Sequence, residues 1–476
     1  MFGYRPDIPR PSGAAIDKAR RLLDAALGPS KVLGTPEACE RFMRDESETA
    51  GTLPDAVVLA TGADDIAKAL AVAREAGVPI TPRAGGTGRS GGAVPVAGGI
   101  LLCTLGMNQI KDIDRREGVA VVQPGVVLET LHFACEAEGL FYPPDPNSLS
   151  ACALGGNVAE NAGGPRAFKY GVTRDYVLGM EVLMIGGQRF FSGRRTKKGV
   201  TGYDVTSLLV GSEGTLAVFG DLTLRLVPKP PAILTLLGLF ADVRTASAVV
   251  AEIIGAGVIP RCVELLDGAT LQAMRDAGNP IDTRAGALLL IEVDGEESVI
   301  EAEAERIGDV CSAHAAIEVL AAQDAAQRSR LWAARREMSR AVRRLAKNKL
   351  SEDVVVPRQK VPVLLDRVSA LGEQHAVRTL TYGHAGDGNL HVNFLWNEPD
   401  ELAAVERAIE QLFRDVVALG GTLTGEHGIG VLKAPYLAIE QSAELIELQR
   451  GLKQVFDPGG LLNPGKIFAG GAHRAC

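Results

Sequence analysis

Two histidines stand on either side of a turn signal in the segment TLTYGHAGDGNLHVNFLW (379–396). Asp387-Gly388 between two apolar, β-prone runs predicts a β-hairpin. With those two residues as the loop, His384 and His391 face each other directly, and their Cβ atoms lie roughly 5 Å apart. Two imidazoles on one face of a hairpin can share a divalent metal ion. A pair of structural strand histidines is the alternative.

A second motif, GEHGIG (425–430), places a carboxylate next to a third histidine. In extended backbone the side chains of Glu426 and His427 point in opposite directions. One of them can therefore join the two hairpin histidines, while the other faces a different part of the pocket. Two histidines and a carboxylate leave open coordination positions, which is typical of a catalytic metal site. Surface polarity is the alternative, but the flanking glycines favour a tight functional turn.

The third motif is a glycine-rich run, Gly86-Thr87-Gly88-Arg89-Ser90-Gly91, which matches G-x-G-x-x-G. A dinucleotide-binding fingerprint of that form lies between a strand and a helix. Here the residues that follow, AVPVAGGILLCTL, are β-prone and contain a proline, so the dinucleotide-fold interpretation fails. Backbone N–H groups of successive glycines can still form an anion-binding concavity. A glycine-rich hairpin without a ligand is the alternative.

These motifs need elements that hold them in place. DDIAKALAVAREAG (64–77) predicts a helix that ends at Gly77, and strands are predicted on both sides of the glycine run. From about 232 to 435, strand-like runs alternate with long helices, which predicts a sheet covered by helices on one face. The C-terminal segment reads as a helix followed by turns at Pro458 and Pro464. We therefore expect three parts, residues 1–230, 231–435 and 436–476.

Five ordered motifs resemble the FAD-binding (PCMH-type) domain of the vanillyl-alcohol-oxidase superfamily. They are PRAGGTGRSGG, PPDPNS, ALGGNVAENAGG with KYGVTRDYVLG, GSEGTLAVF, and LLNPGKIF. The resemblance implies an α+β fold, with a two-lobed FAD-binding domain (1–230), a cap domain (231–435) with an antiparallel sheet covered by helices, and a C-terminal segment (436–476) that returns to the FAD domain. Relatives with covalent flavin carry a histidine where this chain has Thr87, so the expected FAD is non-covalent.

The same resemblance implies which residues contact the cofactor. Those at the pyrophosphate are Arg83, Gly85, Gly86, Thr87, Gly88 and Ser90. Those that line the flavin are Pro144, Asp145, Gly155, Gly156, Asn161, Gly163, Gly214, Val218 and Lys466.

The hairpin and GEHGIG motifs resemble the C-terminal domain of FAD-linked D-2-hydroxy-acid dehydrogenases, which include D-lactate, glycolate and D-2-hydroxyglutarate enzymes. The resemblance implies that His384, His391 and Glu426 hold zinc or manganese and that His427 is the general base. The metal would bind substrate oxygens and lower the hydroxyl pKa, His427 would take the proton, and the α-hydrogen would leave as hydride to flavin N5. D-Lactate is the expected substrate.

Two further residues are expected on the substrate side. Arg335 lies three residues after Trp332, on the same helical face, and by the resemblance it binds the substrate carboxylate. A solvated helix arginine is the alternative. Asn393 is a substrate-side candidate by the same resemblance. Ser351 stands where the hydroxyglutarate branch carries a lysine, with Lys349 out of register, which favours a shorter or differently shaped acid.

Composition limits the partners and the compartment. The formal charge of −8 argues against nucleic acid, and seven cysteines without a CxxC pair argue against disulfides or an iron–sulfur site. Neither a secretory signal nor a transmembrane run is visible, so we expect a cytoplasmic protein. Attachment to the periphery of the inner membrane and assembly into a homodimer stay open.

Electrons must leave through a separate acceptor, and an electron-transfer flavoprotein, a quinone or a cytochrome would each fit. Two other functions compete with the dehydrogenase interpretation. One is a metal-free flavin oxidase of an alcohol or phenol, and the other is a non-catalytic subunit of an oxidase complex.

Overall fold

The computed structural model describes residues 6–468, and the chain divides into two compact units. The first unit contains the chain up to Ala162, the segment Val172–Lys229 and the chain from Glu426 onward. The second unit contains Gly163–Gly171 and Pro230–Gly425. Each unit is therefore built from segments that are distant in sequence. The three-part division expected from the sequence stays a prediction.

The first unit consists of short helices and three small sheets. Its helices, numbered along the whole chain, are α1 (Gly13–Leu27), α2 (Pro36–Cys39), α3 (Ala63–Ala76), α4 (Leu128–Ala137), α5 (Leu154–Glu160), α7 (Val205–Leu209), α14 (Leu437–Glu440) and α15 (Ala443–Phe456). Its strands are β1 (Val32–Leu33), β2 (Ala56–Leu59), β3 (Ile80–Arg83), β4 (Ile100–Cys103), β5 (Ile110–Asp114), β6 (Val119–Val122), β7 (Leu140–Phe141), β8 (Val177–Leu183), β9 (Arg189–Gly193), β10 (Val218–Arg225) and β11 (Val227–Pro228).

Helix α3 confirms the helix predicted over 64–77. Asp64 and Asp65 lie in its first turn, where negative charge complements the helix dipole. Ile66 and Leu70 recur at helical spacing and are buried in the core of the first unit. Gly77 ends the helix in the left-handed conformation, with φ 65°, which a glycine adopts without strain.

Parallel strand pairs occur in one sheet of the first unit, and the other two sheets are antiparallel. One sheet has the order β1-β2-β4-β3, and both β2 and β3 run parallel to β4. The second, β5-β6-β10-β8-β9, is antiparallel, and β11 pairs with β7. The glycine run therefore joins two parallel neighbours, so the hairpin alternative for this segment is wrong.

The second unit contains one large sheet and longer helices. Its helices are α6 (Ala167–Tyr170), α8 (Val243–Gly255), α9 (Gly268–Asp276), α10 (Glu297–Ala313), α11 (Ala325–Arg343), α12 (Val361–His375) and α13 (Leu402–Ala418). Its strands are β12 (Ala232–Phe240), β13 (Cys262–Asp267), β14 (Ala287–Gly295), β15 (Glu318–Ala321), β16 (Asn348–Val355), β17 (Arg378–His384) and β18 (Asn389–Trp396).

This sheet has the order β15-β12-β14-β13-β17-β18-β16, and every neighbouring pair is antiparallel. Side chains of α9 and α11 pack with Leu266, Leu290 and Tyr382 of the sheet. Helices α8, α10, α12 and α13 pack against it as well. Strand β18 is buried at every position, so both faces are covered. The α+β fold with an antiparallel sheet is confirmed, while the expectation of helices on one face is wrong.

Two absences hold for residues 6–468. None of the helices there is both long and apolar enough to cross a membrane. The six cysteines in that range are buried thiols without a disulfide partner.

Candidate functional site

The hairpin that carries the two histidines forms, but its register differs from the predicted one. His384 pairs with Asn389, and His391 pairs with Tyr382. The loop therefore spans residues 385–388 rather than Asp387-Gly388 alone, so direct pairing of the histidines is wrong. Because the register moves by two residues, each side chain keeps its predicted face. The histidines are diagonal neighbours, and their ring centroids lie 5.4 Å apart.

A buried carboxylate lies behind His384. Glu264 of β13 pairs with His384 across the strands, and its Oε1 contacts His384 Nδ1. Its Oε2 accepts a hydrogen bond of 2.7 Å from Arg335 Nε. Burial by itself raises the pKa of Glu264, but the charges of Arg335 and His384 outweigh it and lower that pKa to about 2. A carboxylate on Nδ1 directs Nε2 of His384 toward a ligand.

A second buried carboxylate lies near His391. Asp353 of β16 pairs with His391 in the sheet, and its Oδ1 is 3.9 Å from His391 Nδ1. The same oxygen accepts a hydrogen bond of 2.5 Å from Asn389 Nδ2. Each hairpin histidine thus has an acidic neighbour on an adjacent strand.

The third predicted ligand follows a turn that the second unit holds in place. Thr422 forms a bridge with Val355 at the end of β16. Gly425 N then donates to Asp353 Oδ2 at 2.8 Å, and Glu426 is the next residue. One ligand atom each of His384, His391 and Glu426 lie within 4.8 Å of one another. Two imidazoles and a carboxylate at this spacing match the donor set of a divalent transition-metal site, so the residues fit the implied metal.

Glu426 and His427 do not diverge as extended backbone requires. His427 Nε2 lies 4.0 Å from Glu426 Oε1, because the segment is a turn in which Gly428 and Gly430 have φ 79° and 50°. Glu213 fixes this turn from within the first unit. Its Oε1 accepts from Ile429 N at 2.8 Å, and its Oε2 accepts from Gly430 N at 2.6 Å.

Arg335 is a buried residue, so the solvated-helix alternative is wrong. Its side chain is 5 % exposed and contacts Glu264 through Nε and Nη2. Trp332 Nε1 donates to Glu292 at 2.6 Å, so Trp332 and Arg335 lie on the same helical face, as predicted, and that face contacts the sheet. A guanidinium has five N–H donors, more than Glu264 can accept.

Asn393 is fully buried within the sheet. Its Nδ2 donates to His391 O at 2.9 Å and Leu380 O at 3.3 Å. Ser351 pairs with it, and Lys349, two residues away on the same face, places Nζ 3.2 Å from Tyr382 Oη. Burial alone raises the pKa of Tyr382, but chiefly the charge of Lys349 brings it below its usual value.

The glycine run of the first unit is half-buried from Gly86 to Arg89 and buried at Ser90 and Gly91. A Cβ at Gly88 would meet only Glu160, at 3.8 Å, whereas one at Gly86 would overlap the Arg83 guanidinium. Arg83 Nη1 donates to Arg44 O at 2.6 Å, and its guanidinium packs against Gly86. Ser90 Oγ is buried and has no hydrogen-bond partner among residues 6–468. The unpaired Ser90 hydroxyl and the space beside Gly88 fit a diphosphate, so the residues fit FAD.

The other expected cofactor residues take different positions. Gly156 faces only Ala84, whereas a Cβ at Gly155 or Gly214 would overlap Pro124 or Pro82, so those two glycines allow close packing. Val218 belongs to the hydrophobic core. Pro144 O is 3.0 Å from His132 Nε2, and Asn161 caps the C-terminus of α5 with φ 53°. Asp145 and Thr87 are half-buried, and Gly85 packs on Ala151 and Cys152. Gly163 is buried and begins a segment that belongs to the second unit.

Lys466 is buried among acidic groups close to the glycine run. Its Nζ donates to Val94 O at 2.8 Å. Burial lowers its pKa to about 7, although Asp45 and Glu213 act in the opposite direction. Burial, together with the charges of Glu213 and Asp45, raises the pKa of Glu160 well above its usual value. The Lys466 ammonium would favour an anionic cofactor here, and a protonated Glu160 would not repel it.

Three acidic residues that support these sites were missed from the sequence: Glu264, Asp353 and Glu213. Glu264 and Asp353 interrupt apolar strand runs, CVELLD and SEDVVVP, and Glu213 interrupts the glycine segment GSEGT. A charged residue inside a buried strand is seldom tolerated without a partner, and that signal could have identified Glu264 and Asp353.

Two family models match the chain. The model described as FAD linked oxidases, C-terminal domain, matches residues 229–467, and the one described as FAD binding domain matches residues 54–190.

Several curated proteins are similar along nearly their whole length. Glycolate oxidase subunit GlcD of Bacillus subtilis is 42 % identical, over 89 % of this chain and 91 % of that protein. D-Lactate dehydrogenase of Archaeoglobus fulgidus is 36 % identical, over 91 % and 93 %. D-Lactate dehydrogenase of Anaerostipes hadrus is 34 % identical, over 93 % and 95 %.

Solved structures share the fold at low identity. p-Cresol methylhydroxylase with substrate bound has a TM-score of 0.80 at 14 % identity, covering 97 % of this chain and 98 % of that chain. 4-Ethylphenol oxidase from Gulosibacter chungangensis has a TM-score of 0.79 at 19 % identity, covering 98 % and 99 %. The expected PCMH-type fold is thereby confirmed.

Proposed function

We propose that this chain, which belongs to the family of FAD-linked oxidases, oxidises a small D-2-hydroxy acid, D-lactate first, to the 2-keto acid with the help of a divalent metal. FAD-dependent oxidoreduction follows from the family itself. The finer proposal rests on one observation: ligand atoms of His384, His391 and Glu426 lie within 4.8 Å of one another.

Bound FAD would supply the hydride acceptor, and a bound zinc or manganese ion would supply a Lewis acid for an α-hydroxy carboxylate. FAD would be held by the glycine run, Ser90 and Lys466, and the metal by the two hairpin histidines and Glu426. FAD would be bound without a covalent link to the chain, since Thr87 offers no imidazole in the first loop.

The protein's own residues have separate tasks in this scheme. His427 takes the hydroxyl proton of the substrate, a role that suits an imidazole near neutral pH. Glu264 and Asp353 are positioning residues beside the two hairpin histidines. Arg335 is proposed to orient the substrate carboxylate with the N–H donors that Glu264 does not use. Asn393 is proposed as a further residue on the substrate side.

Glycolate is the second candidate substrate. The relative from Bacillus subtilis carries glycolate oxidase in its name, and others are named D-lactate dehydrogenase. The two acids differ by one methyl group, and discrimination of a methyl group in an apolar pocket is worth about 1–3 kcal/mol. The panel below therefore includes both.

The test is anaerobic reduction of the bound flavin, which is monitored as the loss of its visible absorbance. D-Lactate, glycolate and D-2-hydroxyglutarate are compared with L-lactate, before and after treatment with a chelator. We expect fast bleaching by D-lactate, slow bleaching by L-lactate, loss of the reaction after chelation and recovery on adding zinc or manganese. Bleaching that survives complete metal removal would favour the metal-free oxidase, and absence of bleaching by every hydroxy acid would refute the substrate class.

A further inference from the structure

One carboxylate, Asp353, connects the two chain segments that carry the proposed metal ligands. It lies in β16, is 0 % exposed, and stands opposite His391 of β18 in the sheet register. No sequence motif assigned it a task, and it is neither a proposed ligand nor a proposed substrate contact.

The two oxygens of Asp353 serve different segments. Oδ1 accepts from Asn389 Nδ2 at 2.5 Å and lies 3.9 Å from His391 Nδ1. Asn389 is the first residue of β18 after the hairpin loop and pairs with His384. Oδ1 therefore holds the hairpin at Asn389, which pairs with His384 and lies two residues before His391.

Oδ2 accepts from the segment that leads to Glu426. Thr424 Oγ1 donates to it at 3.0 Å, and Gly425 N donates at 2.8 Å. A Cβ at Gly425 would overlap the Asn389 side chain, so these two segments are packed directly against each other. The residue after Gly425 is Glu426, whose carboxylate lies with the two imidazoles.

We propose that Asp353 is the positioning residue that assembles the metal centre, by joining the hairpin of His384 and His391 to the turn of Glu426 through its two oxygens. The proposal rests on the proposed metal site and assigns the residue that builds it. The ligands come from segments some 35 residues apart, and the Asp353 carboxylate is the group that donors from both segments share.

The chemistry of the side chain makes the role specific. Asn389 Nδ2, Thr424 Oγ1 and Gly425 N are all donors, so both oxygens of Asp353 act as acceptors. An asparagine at this position has one acceptor oxygen, and its NH₂ group would face a donor on the other side. Hydrogen bonds to a buried carboxylate are charge-assisted and stronger than neutral ones. Asp353→Asn therefore retains the size of the side chain but loses one of the two connections.

The test is zinc affinity of the full-length flavoprotein, measured by competition with a chromogenic chelator for Asp353→Asn and wild type. We expect zinc binding to weaken by about 10- to 100-fold, the usual effect of removing a group that orients metal ligands. Flavin absorbance per chain should not change, because neither Asp353 nor its hydrogen-bond partners Asn389, Thr424 and Gly425 are among the proposed FAD contacts. Unchanged zinc affinity in Asp353→Asn would overturn the proposal while leaving the metal site intact. A wild-type protein that binds neither zinc nor manganese would overturn the metal site itself.

A matched control and a milder variant separate positioning from general stability. Asp267 is also a buried acceptor in this sheet, taking hydrogen bonds from Thr270 N at 2.8 Å and Thr381 N at 2.5 Å. Asp267→Asn should lower the melting temperature and leave zinc affinity unchanged. Thr424→Val removes a single donor to Asp353 Oδ2, so it should weaken zinc binding by a few-fold. Its effect should largely disappear when Asp353→Asn is already present, since both act on one contact.

Discussion

At the residue scale, the proposed role of His427 as general base predicts that its loss slows the chemistry and leaves cofactor binding unchanged. His427→Ala should slow flavin reduction by D-lactate about 10²- to 10⁴-fold, the usual contribution of a positioned general base. Stopped-flow absorbance under anaerobic conditions measures this rate. FAD content should match that of wild type, and His314→Ala, at the end of α10, is the control. An unchanged rate would remove His427 from the proton transfer.

Lys466 predicts a pH dependence of stability at the same scale. Its pKa of about 7 lies below the ordinary value of 10.5, because burial disfavours the ammonium. Between those values the unfolded chain binds a proton that the folded chain does not, so stability rises with pH. The rise is at most about 1.4 kcal/mol per pH unit.

Urea denaturation of FAD-free protein from pH 7 to 10 tests this prediction. Wild type should gain stability over that range relative to Lys466→Met, in which the titrating group is absent. A constant difference between the two proteins would show that the ammonium is not disfavoured by the fold. FAD binding to Lys466→Met should be weaker at pH 7, since the diphosphate loses its buried cation.

At the element scale, the GEHGIG turn depends on one side chain from a distant loop. Glu213 accepts from Ile429 N and Gly430 N, immediately after His427. Glu213→Gln leaves one of those amides facing an NH₂ group, and losing a hydrogen bond to a charged group costs about 1.5–3 kcal/mol. We expect kcat for D-lactate to fall about tenfold or more, since 1.4 kcal/mol is a factor of ten.

The position of Glu213 suggests a change in kcat rather than in metal affinity. Steady-state kinetics with a dye acceptor gives kcat and KM, and the chelator competition gives zinc affinity. Glu117→Gln, on an exposed turn, is the control. A variant with normal kcat would mean that the turn is held by its own glycines.

At the scale of the whole molecule, the FAD domain needs both ends of the chain. Lys453 of α15 donates to Thr215 O at 2.6 Å, Asp457 Oδ2 at 2.6 Å and Leu462 O at 2.8 Å. Ile80 N donates to Leu461 O at 2.8 Å, which ties β3 to the C-terminal segment. The N-terminal sequence that matches the FAD binding domain is thus completed by residues beyond Glu426.

Lys453→Met tests this dependence with a single change. It leaves the buried Asp457 carboxylate without its ammonium, and breaking a buried ion pair costs about 3–5 kcal/mol. We expect a lower melting temperature and weaker FAD retention on gel filtration, with Lys68→Met on the exposed face of α3 as the control. A melting temperature equal to that of the control would show that α15 is held by its apolar face alone.

The sequence by itself determined the features that depend on local conformation. Glycine runs, the Asp-Gly turn and the ends of α3 are set within a few residues, so the glycine loop, the histidine hairpin and the helix boundaries could be predicted. The ordered motifs also carried the FAD-binding fold, because each forms its part of the domain from consecutive residues. The face of each hairpin histidine was predictable because a shift of two residues preserves strand alternation.

Only the tertiary structure decided what depends on distant partners. The hairpin register follows from the four-residue loop 385–388. In this loop Asn389 N donates a hydrogen bond to Asp387 Oδ1, and Gly388 has φ 83°. The Asp-Gly turn signal by itself did not distinguish a two-residue loop from a four-residue one. Strand β4 pairs in parallel with β3 on one side and with β2 on the other, so the direction of the β3–β4 pair is set by the whole sheet and not by the loop between them. Glu264 meets His384 across 120 residues, and Glu213 meets Ile429 across 216. Buried carboxylates find such partners only when the chain has packed, because their desolvation is offset by donors that sequence spacing does not reveal.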